Sequence, residues 1–113
     1  MPIYVPWGGA VMSPELSLLA GSWKEFDLAL RENRGINEPA LIALKDALQK
    51  CALAWVNCDT IPRLGVGILV DIVPATESNS QLYSGELGAK VLAVSYELQE
   101  LVWECVKIDE GVT

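Results

Sequence analysis

The sequence contains no histidine. That absence excludes Ser–His and Cys–His nucleophile pairs, the side chain that most often moves protons near neutral pH, and the commonest nitrogen ligand of zinc. Cysteine is sparse. Cys51, Cys58 and Cys105 form no CxxC pair, and an odd set of three reads as reduced thiols serving as small hydrophobes, not as a disulfide framework. Basic residues are few, eight against fifteen acidic ones, for a formal charge of −7. Their nearest approach to a cluster is Arg31 with Arg34, too little to neutralise a phosphate backbone, so no nucleic-acid partner is expected. Long apolar runs are also missing. The longest charge-free stretch, residues 1–14, falls short of the roughly 18 to 20 apolar residues of a membrane span, so no membrane role is expected. The first basic residue is Lys24, after Pro2, Pro6 and Gly8-Gly9, which does not read as a secretory signal; the expected location is cytoplasmic.

What is present is a surplus of apolar residues, 51% of the 113, which must be buried in protein. The length suits one domain spanning 1–113. Residues 1–13, with two prolines, two adjacent glycines, Tyr4 and Trp7, read as an extended arm whose aromatics close over the core, with reaching a partner subunit as the alternative. Ser13-Pro14-Glu15 then supplies a capping hydroxyl, a proline where its missing N–H costs nothing, and an acid facing the helix dipole. Leu16, Leu19, Ala20, Trp23, Phe26 and Leu30 follow on one helical face, and Gly35 closes the run. A second start at Asn37-Glu38-Pro39 leads into Leu41, Leu44, Leu48, Cys51, Ala52 and Trp55, down to about Asn57.

Residues 61–73 have no decisive period. Asp59-Thr60-Ile61-Pro62 resembles a third capped start, and a lone strand would leave its backbone without partners, so the segment is read as a buried helix, with a strand as the alternative. Pro74 should end it, leaving 75–80 as a polar loop. A last and longest helix is expected from about Ser80 to Lys107. Its Glu86, Lys90, Glu97, Glu100, Glu104 and Lys107 form one narrow stripe on a 100° wheel, and nearly everything else on it is apolar. Three other helices cannot cover so much apolar surface. The architecture is therefore all-α, a compact four-helix arrangement with an extended N-terminal arm, whose last helix meets another polypeptide.

No reaction suggests itself. The di-iron bundle pattern needs histidine. Glu97, Glu100 and Glu104 are more simply the wet side of a helix than a cation site. Gly85 and Gly88 do not match a phosphate loop; with Ser84 and Ala89 they are read as small residues that let the 65–67 segment approach. Asp71 interrupts an apolar run and is read as an exposed or ion-paired carboxylate, with Arg63 as its base. No metal or other cofactor is expected, and the chain does not read as an enzyme. Residues 71–113 carry eight acids against two bases. This acidity, with the surplus apolar face, points to a protein-interaction module of inhibitor, immunity, chaperone or adaptor type. The expected partner-binding residues are Glu97, Glu100, Glu104, Asp109, Glu110 and Trp103, the expected assembly a homodimer, and the expected partner a basic protein. The alternative is a small-molecule binder or sensor with Trp23, Phe26, Trp55 and Tyr96 lining an apolar pocket.

Overall fold

A computed structural model describes residues 12–107 and places four helices there, α1 (Pro14–Arg31), α2 (Glu38–Trp55), α3 (Arg63–Ser80) and α4 (Gly85–Val106), with no strand among the described residues. The chain is all-α. The arm carrying Tyr4 and Trp7 lies outside the described residues.

The first two helices begin as their sequences dictate. Ser13 accepts a hydrogen bond from the Leu16 amide at 3.3 Å, and the Asn37 side chain accepts one from the Ala40 amide at 3.1 Å. The end of α1 is set before Gly35. Asn33 takes the left-handed conformation at φ 62, its N–H donates to Leu30, and the Arg34 N–H reaches back to the Ala29 carbonyl. This is a Schellman stop with asparagine in the position usually held by glycine.

The third segment is a helix and not a strand, and it corrects two expectations. Pro62 is its cap residue with no side-chain bond, so Asp59 and Thr60 do not cap it. The helix also runs through Pro74 to Ser80, and the expected loop at 75–80 is helical. Pro74 and Val70, which lose the hydrogen bond between them, both lie on the exposed side, where water can serve the carbonyl. Past the proline, Thr76 and Ser80 turn their hydroxyls onto the helix's own carbonyls at Ile72 and Glu77. The last helix accordingly starts at Gly85, not near Ser80, after a tight turn.

Neighbouring helices are α1 with α2, α3 with α4, α1 with α3 and α2 with α4. Asp27 on α1 meets Asn79 on α3, while Glu38 and Lys45 on α2 meet Lys90 and Glu97 on α4, so α1 lies parallel to α3 and α2 parallel to α4. The molecule is therefore two antiparallel helix pairs stacked in the same direction, as successive pairs stack in an α-solenoid, with no sequence repeat to announce it. Between the two layers lie Leu19, Phe26, Leu30, Leu44, Leu48, Ile72, Val91 and Leu98, all fully buried. Cys51 and Cys105 belong to this core, and their thiols rest on the Glu15 and Leu48 carbonyls. Burial raises Cys51 from 9.0 to about 12 and Cys105 to about 11, with nearby acidic groups adding to it, so both remain protonated thiols. Cys58, by contrast, is exposed.

Tyr83 ties the layers together at one end. From the α3–α4 turn its hydroxyl donates to the Leu30 carbonyl at 2.8 Å and accepts from the Gly35 N–H at 3.0 Å, spanning the end of α1 and the loop into α2.

Candidate functional site

Two outer layers and two edges face away from the core, and they differ in chemistry. The α1–α2 layer shows Ser17, Gly21, Lys24 and Glu25 beside Pro39, Asp46 and Lys50, a mainly polar and small-residue surface from which Ile42 and Leu53 protrude. The edge along α2 and α4 is charged. Lys45 pairs with Glu97 at 2.6 Å and Lys90 with Glu38 at 3.5 Å, and Glu86, Glu100 and Glu104 lie on the same side of α4.

The α3–α4 layer is apolar. On α4 the residues Leu92, Tyr96, Gln99, Trp103 and Val106 are spaced 4, 3, 4 and 3 and fall along one side of the helix. Tyr96 is 55% exposed, Trp103 58% and Val106 44%. On α3, Val66, Val70 and Val73 repeat at the same spacing, with Val70 67% exposed. Antiparallel pairing places Val66 and Val70 at the end of the face that carries Trp103 and Val106. At the other end Leu92 borders a groove with Pro74, Glu77 and Gln81. Taking about 250 Å² for a fully exposed aromatic side chain, the valines and aromatics together present roughly 500 Å² of apolar surface, the size of the largest, often functional, patch on a monomeric protein. This matches the apolar surplus expected of the last helix.

The expected partner-binding residues divide over two surfaces. Trp103 sits on the apolar layer, whereas Glu97, Glu100 and Glu104 sit on the charged edge. Glu97 is engaged by Lys45, and Glu104 by Lys107 at 2.8 Å, which reduces the free negative charge of the stripe. Asp109 and Glu110 lie outside the described residues. No group of three or more metal-binding side chains converges among the described residues.

The four aromatics considered for a ligand pocket are not brought together. Trp23 and Phe26 pack on each other in the core with ring centroids 6.2 Å apart. Trp55 is buried over Gly65, where an added Cβ would come within 2.8 Å of its ring. Tyr96 faces outward on the opposite side of α4 from the core. The grooves at Pro14–Leu53, along Ser17–Ala43 and beside Pro74 are lined by other residues. Asp71 is exposed and makes no ion pair with Arg63. Gly88 is approached not by the 65–67 segment, which lies at the far end of the molecule, but by the Tyr83 carbonyl.

Comparison with known proteins leaves the surface to speak for itself: no family model matches the sequence, and no similar curated protein or solved structure is found.

Proposed function

We propose that the protein is an interaction module, of inhibitor, immunity, chaperone or adaptor type, that works by docking onto other polypeptides and performs no reaction of its own. The observation that carries this reading is the exposed Tyr96–Trp103 face of the α3–α4 layer, an aromatic centre with a polar rim, which is the composition of a protein interface core. The absence of histidine from the sequence agrees with it.

The charged α2–α4 edge complements that face. Glu86 and Glu100 add to a formal charge of −7 and bias encounters toward a basic partner. Their role is steering, so it acts on the rate of association and fades as salt screens it. The test is quantitative co-purification of the tagged chain from its own host at low and high salt, with Glu86→Gln/Glu100→Gln as a variant. A specific basic protein held at low salt, released at high salt and depleted by the variant is the expected result. Recovery of the bare chain under every condition would sink the reading.

A further inference from the structure

We propose that the apolar α3–α4 face is covered by the same face of a second copy of this chain, in a two-fold dimer whose α4 helices run antiparallel. The inference rests on the reading of this face as a docking surface and names its occupant.

The α4 seam is close to symmetric about Gln99. With Gln99 as the midpoint, an antiparallel pairing sets Leu92 against Val106 of the second copy and Gln99 against its own counterpart, and brings Tyr96 and Trp103, three and four residues from the midpoint, to within one residue of facing each other. The 4, 3, 4, 3 spacing is that of a helix seam meant for another helix, and antiparallel helices oppose their dipoles favourably. The valines Val66 and Val70 flank the same surface from α3 and widen it beyond a single helix.

The two layers also decide between modes of assembly. Head-to-tail stacking would lay the apolar α3–α4 face on the α1–α2 layer of the next molecule, where Ser17, Lys24, Glu25 and Lys50 surround Ile42 and Leu53. The isologous arrangement instead places the aromatic centre of each copy on an apolar surface, and it closes as a dimer rather than growing into a filament. A stable dimer buries about 800 Å² per partner, some 65% of it apolar. The roughly 500 Å² of apolar surface on this face, rimmed by Pro74, Glu77 and Gln81, meets that proportion.

The dimer carries one electrostatic cost. Glu100 lies one position from the dyad and faces its own counterpart, and each copy brings a formal charge of −7. Salt therefore tightens this dimer, whereas it loosens the contact with a basic partner.

The test is sedimentation of the purified full chain across a concentration series. The expected result is a dimer that strengthens with salt, is weakened about thirtyfold or more by Trp103→Asp, and is unchanged by Ile42→Asp on the exposed side of α2. Register is read by disulfide trapping in a Cys58→Ser background: a mixture of Tyr96→Cys and Trp103→Cys chains should give the mixed dimer over either like pair. A monomeric wild-type chain, a dimer indifferent to Trp103→Asp, or trapping only of like pairs would overturn the proposal. A monomer that still retains a basic protein in co-purification would overturn the dimer alone and leave the interaction reading standing.

Discussion

Gly88→Ala sets helix propensity against packing. Gly88 lies in the first turn of α4, and replacing glycine by alanine within a helix is ordinarily worth about 1 kcal/mol of stability. Here the added Cβ would lie 2.5 Å from the Tyr83 carbonyl oxygen, 3.2 Å from its carbonyl carbon and 3.4 Å from the Ser80 oxygen. Carbon and carbonyl oxygen ordinarily meet at about 3.3 Å, so the α3–α4 turn has to shift by most of an ångström. What shifts is backbone, not the end of a flexible side chain, and overpacking of this kind costs about 1–3 kcal/mol. The same movement pulls the Tyr83 hydroxyl from Leu30 and Gly35, two bonds worth about 1 kcal/mol each. The expected outcome is a net loss of about 2–4 kcal/mol after the propensity gain is set against both costs. Gly67→Ala is the internal control, since nothing lies within 4 Å of its added Cβ on the exposed side of α3. It should gain about 0.5–1 kcal/mol. Urea unfolding monitored by circular dichroism measures both. If Gly88→Ala stabilises as much as Gly67→Ala does, the close approach of the turn to α4 is wrong.

Tyr83→Phe should cost about 1–2 kcal/mol in the same assay by stranding the Leu30 carbonyl and Gly35 amide, and its effect should overlap with that of Gly88→Ala rather than add to it. Phe26→Ala empties a fully buried site beside Trp23 and should cost about 3–5 kcal/mol, read as a drop in thermal midpoint together with a change in tryptophan emission. At pH 8 a thiol reagent should label Cys58 quickly and leave Cys51 and Cys105 untouched until the chain unfolds; rapid labelling of all three would contradict their burial. The raised thiols also fix a pH dependence. Folded Cys51 and Cys105 hold their protons to about 12 and about 11 while the unfolded chain releases them near 9.0. Their contribution is therefore complete below pH 9 and is lost as pH rises toward those values. Cys105→Ala should flatten that alkaline decline in stability.

Particular residues show how much of this was legible beforehand. Ser13 and Asn37 announced the starts of α1 and α2 because a cap is a local device: a side chain and an amide three residues on complete it without help. Pro74 misled because its penalty depends on which side of the helix loses the bond, and that side is known only once the neighbours are in place. The surplus apolar face of α4 could be read as a face, but Tyr96 and Trp23 carried the same helical signature and ended on opposite sides of the packing. Tyr83 gave no signal at all, since its two hydrogen bonds join residues about fifty positions away.

The sequence by itself determined that the chain is helical, where its first two helices begin, that it lacks histidine-based chemistry, and that its last helix carries more apolar surface than a polar stripe can offset. These follow from short-range spacing and composition. Only the tertiary structure decided that the helices stack as two antiparallel pairs laid in the same direction, that the aromatics of α4 look outward from the α3–α4 layer while the α1–α2 layer is mainly polar outside, and that Lys45 takes up part of the acidic stripe. A helix fixes which residues share a face, but the direction that face looks is set by the partners packed against its other sides.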